Sequence, residues 1–192
     1  YLVSTPPELV RLHIQLERKA RGGEATVECF DQQGLERTDV TVCCLDAPGL
    51  LSRLLGVIYA LDLSIHGLRA STTHTVRPVA LDVFTLSFAG KPIPSASAQA
   101  FARSVKDVIA GEKSVEFVLE SHKKDPHRRQ EVFSHRFLPG SPGILEVQAA
   151  TGRGMAYRFS RLIAEHGWNI EAARVGQWAG RATAAIYITG PG

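Results

Sequence analysis

The chain lacks any run of the roughly 18 to 20 apolar residues that a membrane-spanning helix needs, and no basic-then-apolar leader pattern opens it. A helical membrane protein is excluded, so no membrane partner is expected. Cysteine is scarce. Cys29, Cys43 and Cys44 are an odd number without metal-like spacing, and neighbours in a strand point to opposite faces, which leaves Cys43 and Cys44 badly placed to pair. A disulfide framework is thereby excluded and a reducing, cytoplasmic setting expected. Charge of one sign is lacking too: 22 Lys and Arg against 19 Asp and Glu leave a net +3. That is too little to indicate a nucleic-acid partner unless the charges are concentrated on one surface. The seven histidines are scattered, with no pair at a convincing metal spacing, so no cofactor or metal is expected. An initiator Met is also missing and the chain stops at Pro191-Gly192, which reads as a fragment of a longer protein.

What is present is ordinary globular material, 192 residues with 44% hydrophobic and 21% charged. That length allows one large domain or two small ones. An internal repeat decides for two. Thr41-Val-Cys-Cys-Leu-Asp-Ala-Pro-Gly49 runs into Leu-Leu-Ser-Arg-Leu and later Asp62-Leu-Ser-Ile65, while Glu146-Val-Gln-Ala-Ala-Thr-Gly-Arg-Gly154 runs into Met-Ala-Tyr-Arg-Phe and later Gly167-Trp-Asn-Ile170. One offset of 105 pairs Gly49 with Gly154, Arg53 with Arg158, Ile65 with Ile170 and Arg69 with Arg174. Phe84 then pairs with Tyr187 at 103, which requires a deletion of two in a hairpin.

Each unit begins with a short β-branched strand, residues 38–45 and 144–150, followed by apolar residues at helical spacing, Leu50, Leu51, Leu54, Leu55, Ile58 and Leu61 in one case and Met155, Phe159, Leu162 and Ile163 in the other. Hairpins follow over 63–88 and 168–189, then in the first unit a helix over 95–110 and a strand over 114–120. The order βαββαβ predicts an α+β protein of two ferredoxin-like units, with antiparallel sheets and helices on one face. Residues 1–37 supply a leading helix (7–20) and an extra strand, 38–120 the first unit, 121–130 a polar basic linker, and 131–192 a second unit that has its own leading strand and lacks the last helix and strand. Sheet edges left open on such units favour side-by-side pairing, within the chain or in a homodimer.

The most informative string is Asp46-Ala-Pro-Gly-Leu-Leu51, where strand turns into helix. Two readings stand open. Asp46 caps the helix, Pro48 starts it and Gly49 allows tight packing; alternatively, free helix N–H groups hold a carboxylate and Asp46 an ammonium, which together describe an α-amino-acid receptor. Gly152-Arg-Gly154 reads as a turn that needs glycine, or as a weak anion cradle with Arg153. No Ser, His and Asp gather into a catalytic constellation, so no enzyme is expected within the chain. Trp168, Trp178 and Tyr187 beside Arg174 and Arg181 could stack on bases, yet aromatic residues of a half-buried hairpin more often form core or interface.

The Asp46-x-Pro-Gly-Leu-Leu turn, with Ile65-His-Gly-Leu-Arg-Ala70, Leu81-Asp-Val-Phe84 and Leu145-Glu-Val-Gln-Ala-Ala150, closely resembles ACT domains. The likeness spans nearly the whole chain. It is greatest to the tandem pair that ends the bifunctional protein-PII uridylyltransferase/uridylyl-removing enzymes of nitrogen regulation, and Tyr1-Leu-Val-Ser-Thr-Pro-Pro-Glu resembles the segment leaving their HD domain. The resemblance implies allosteric sensing of an amino acid, with glutamine expected, and upstream catalytic domains as partner. It places the ligand at Asp46, Ala47, Pro48, Gly49, Leu50 and Leu51, with Ile65 and His66 nearby. A second site at Arg153, Gly154 and Met155 departs from the pattern, since Thr151-Gly-Arg-Gly154 has lost the acid and the Pro. The other reading is a stand-alone tandem ACT regulator of transcription that works through protein contact, similar to the glycine-cleavage repressor.

Overall fold

The structure, a computed structural model, describes residues 7–32, 34–73, 75–127 and 132–190. Outside the described residues lie His74, the expected exit segment from Tyr1 to residue 6, and the Arg128 and Arg129 of the basic linker. In chain order the elements are α1 (Pro7–Arg21), β1 (Thr26–Gln32), β2 (Arg37–Leu45), α2 (Leu50–Ala60), β3 (Leu63–Thr72), β4 (Val79–Phe88), α3 (Ser95–Ala110), α4 (Val115–Ser121), β5 (Val132–Leu138), β6 (Gly143–Ala150), α5 (Met155–Glu165), β7 (Asn169–Trp178) and β8 (Arg181–Thr189).

Alternation along the strands sets the two faces of the sheet. Val40, Val42 and Cys44 of β2 point with Phe84 and Leu86 of β4 into one large core under α2, α3, α4 and α5. Cys43 and Val79 point the other way, where Leu16 and Ala20 of α1 cover them. The leading helix thus sits on the face opposite the other helices.

Instead of two sheets there is one. All eight strands pair antiparallel in the order β1-β2-β4-β3-β7-β8-β6-β5, an α+β architecture in which the halves meet at β3 and β7. Arg69 lies opposite Arg174, and Gly67 to Ser71 oppose Gly176 to Ala172. Because Arg69 and Arg174 are repeat-mates, the junction has an approximate internal two-fold axis between them. Helices α2 and α5 obey the same axis and pack antiparallel, with the Gly49 end of α2 against Ala164 and the Gly154 end of α5 against Tyr59. Edges that sequence reading left open for pairing are therefore spent on each other, and β1 and β5 form the outer edges.

Two corrections follow from the local structure. Residues 114–120 do not form a strand: Val115, Val118 and Leu119 are buried at helical spacing on α4, and Ser114 caps it by accepting from the Phe117 N–H at 3.1 Å. The β-branched content of this segment serves core packing rather than a ladder. In the hairpin, Phe84 pairs with Leu68 and Val40, whereas the residue that meets their repeat-mates Ala173 and Leu145 is Ile186. Phe84 therefore matches Ile186, and Tyr187 lies on the other face, because a one-residue slip turns a strand side chain over.

The halves differ in cover. Val57 of α2 is 0% exposed, and its repeat-mate Leu162 on α5 is 53% exposed. Among the described residues no helix takes the place of α3 over the second half, so Val132, Phe133 and Phe137 of β5 are exposed as well. No helix among the described residues is long and apolar enough to cross a membrane.

Candidate ligand clefts between the repeats

Each strand-to-helix turn faces the other repeat. Gly49 and Gly154 stand at the helix N-termini in the left-handed conformation, φ 72° and 74°, and no side chain caps either helix. A residue with a Cβ is strained there; the Leu50 and Met155 N–H groups donate back to the Ala47 and Gly152 carbonyls at 3.0 and 3.2 Å, and the next two N–H groups of each helix, which have no intrahelical partner, are left for other acceptors. The capping reading of Asp46 is corrected accordingly. Its Oδ1 accepts from the N–H of Ala47 at 2.9 Å and its Oδ2 from the Thr72 hydroxyl at 3.1 Å, while Pro48 lies before the helix and is exposed.

Two clefts result, related by the internal axis. The first is bounded by Asp46, Ala47, Gly49, Leu50 and Leu51 on one side and by Trp168, Asn169, Ile170 and Glu171 on the other. The second is bounded by Arg153, Gly154 and Met155 on one side and by Leu63, Ser64 and Ile65 on the other. Ile65 therefore belongs to the second cleft, not beside Asp46. The junction of β3 with β7 crosses the repeats over, so Ile170 and Glu171 occupy by the first turn the places that Ile65 and His66 hold in their own repeat. His66 lines neither cleft, and its Nε2 lies 2.8 Å from the Ser87 hydroxyl. That contact is no nucleophile pair, since Ser87 is buried and lines no cleft.

The clefts differ in size and charge. The first has a volume of about 20 Å³ and the second about 230 Å³. Asp82 of β4, missed as a site residue by sequence reading, closes the bottom of the first and is 3% exposed. Burial, then repulsion from Asp46, pushes its carboxyl up to about 8, against the Ser71 N–H that it accepts. Burial also raises Asp46, with Thr72, the Ala47 N–H and Arg53 opposing. The cleft thus sets the Asp46 carboxyl beside that of Asp82, which keeps its proton, and so an O–H that donates, up to about 8. In the sequence only the string Leu81-Asp-Val-Phe84, noted above for its resemblance, includes Asp82.

Thr151, which lines the second cleft, and Ala184 are the repeat-mates of Asp46 and Asp82 by strand register, so both carboxyls are gone. Arg153 reaches across instead, its Nη1 2.8 Å from Asp62 Oδ1, which also meets Lys124 Nζ at 2.7 Å. Lys124 hydrogen-bonding first, these cations hold the Asp62 carboxyl below its usual range. Gln177 donates to the Ile65 carbonyl at 2.6 Å. Tyr59 and Tyr157 stack at 6.3 Å along the floor.

The thiols are inert in this setting. Burial pushes Cys29 up to about 11, and Cys43 and Cys44 up to about 12, so nucleophilic thiolate chemistry is suppressed. Among the described residues no three His, Cys, Asp or Glu side chains are grouped to hold a metal. Comparison with known proteins gives no matching family model, no matching curated protein and no matching solved structure.

Proposed function

We propose that this chain is an amino-acid-sensing regulatory module of two ACT-type, ferredoxin-like units, with glutamine as its ligand. The observation that carries the reading is the pair of uncapped, glycine-marked helix starts, each aimed across a cleft at the other repeat. In the first cleft Asp46 holds the ammonium and the N–H groups of Leu51 and Ser52 hold the carboxylate, in keeping with anion binding at helix N-termini. A space of about 20 Å³ admits about one water, so occupation requires α5 and β7 to draw back from α2. That movement is the regulatory signal. Every wall of a cleft belongs to one repeat or the other, and a ligand shifts their arrangement only by its difference in affinity between arrangements. Within a longer polypeptide the module controls an upstream uridylyltransferase/uridylyl-removing activity and itself carries no catalysis.

Isothermal titration with a panel of amino acids tests the reading. Glutamine is expected to bind the native chain, and Asp46→Ala to weaken it at least about tenfold, or ~1.4 kcal/mol. Equal affinity for the two chains, or no heat with any amino acid, contradicts the site. A second reading, a transcriptional regulator that acts through protein contact, is favoured by the exposed Phe133, Phe137 and Leu162. It predicts partner binding that amino acids leave unchanged.

A further inference from the structure

The sheet face away from α2 and α5 carries an unbalanced pair of charges at the internal axis. Arg69 and Arg174 lie directly opposite each other on β3 and β7, both exposed, and on this face because Leu68 and Ala173 beside them point into the core. Like charges opposed in an antiparallel ladder repel. Neither guanidinium has a carboxylate partner among the described residues.

The pair borders a concavity of about 300 Å³ whose lining includes His13, Leu81, Val83 and Tyr187 and no acid. One wall is α1, which supplies His13, itself 5% exposed. Burial, and then the Arg69 charge, hold the His13 imidazole below its usual range. At Arg174 the concavity opens into a shallow groove over β5, β6 and β8, where Arg136 stands opposite Glu146. The first half of this face is apolar and closed by α1, whereas the groove is mixed, with Arg136, Glu146, Gln148 and Thr183 beside Arg174. At the axis the two unpaired forks are what an oxyanion would fill.

We propose that Arg69 and Arg174 form a binding site for a phosphoryl group carried by a small molecule. Two planar guanidiniums on either side of a two-fold axis suit a tetrahedral dianion shared between them, each bonding two oxygens. A volume of about 300 Å³ lies in the range of small-ligand pockets, and bridging removes the repulsion that the empty pair carries. The site is on the opposite face from the clefts and does not depend on their ligand.

Thermal melting and titration calorimetry test this with inorganic phosphate, pyrophosphate and adenosine monophosphate, each against potassium chloride at matched ionic strength. The native chain is expected to melt several degrees higher with phosphate or pyrophosphate than with chloride. Arg69→Gln and Arg174→Gln should each reduce that shift and the double variant abolish it. Without phosphate, the double variant should melt above the native chain at low salt, which also shows that it folds. Arg69→Lys keeps the charge and loses the fork, and is expected to weaken binding at least about fivefold. Tighter binding of the nucleotide than of free phosphate assigns the phosphoryl to a nucleotide; equal binding assigns it to the free anion. An equal shift in native and double variant, no shift beyond chloride, or binding of an oligonucleotide in place of all three small phosphates overturns the proposal.

Discussion

A carboxyl group buried at the bottom of the first cleft makes the stability of this chain sensitive to pH. Asp82 is raised from its ordinary 3.8 to about 8, so the folded chain keeps a proton that the unfolded chain gives up between those values. Its contribution is therefore fully present below the lower value and is lost as pH rises toward the higher, at about 1.4 kcal/mol per unit. Asp82→Asn keeps an oxygen for the Ser71 N–H and removes the titration. Urea unfolding from pH 5 to pH 8 should show the native chain losing stability relative to the variant, and a constant difference between them would contradict the assignment. At this scale the sequence was legible in part. Asp46 and Gly49 stood out because turn chemistry is local, whereas the burial of Asp82, the replacement of Ile65 by Ile170 at the first turn and the partner of His66 depend on strand pairing between distant segments.

Helix α2 is the element on which the two repeats close, and its glycine explains how closely. A Cβ at Gly56 would collide with Val115 Cγ2 of α4 and lie 3.1 Å from the Tyr157 ring of α5. The backbone conformation there suits alanine, which gains about 1 kcal/mol of helix propensity over glycine, yet overpacking of a filled core costs about 1 to 3 kcal/mol. Gly56→Ala is expected to lower stability on balance in denaturant unfolding, and a more stable variant would show that α4 and α5 yield freely. Periodicity revealed α2 and α5 because each buries a stripe of apolar residues. It failed for α4, where Val115, Val118 and Leu119 are as consistent with a short strand as with two helical turns. The register of β8 was also missed by one residue, since Phe84 and Tyr187 look alike in sequence and differ only in the face to which they point.

At the scale of the molecule, the repeat was legible and the way its copies join was not. An offset of 105 shared by Gly49, Arg53, Ile65 and Arg69 announces two similar units, but nothing local states that β3 and β7 will share a ladder. That junction creates both clefts, and it brings the two arginines face to face. It also means that a ligand held at one turn touches both copies at once. Amide chemical shifts followed during a glutamine titration measure this most directly. Resonances of Leu51 and Ser52 on the first repeat should move together with those of Asn169, Ile170 and Glu171 on the second, with one common saturation curve. Shifts confined to a single repeat, or none at these positions, would contradict a sensor whose ligand is gripped between the halves.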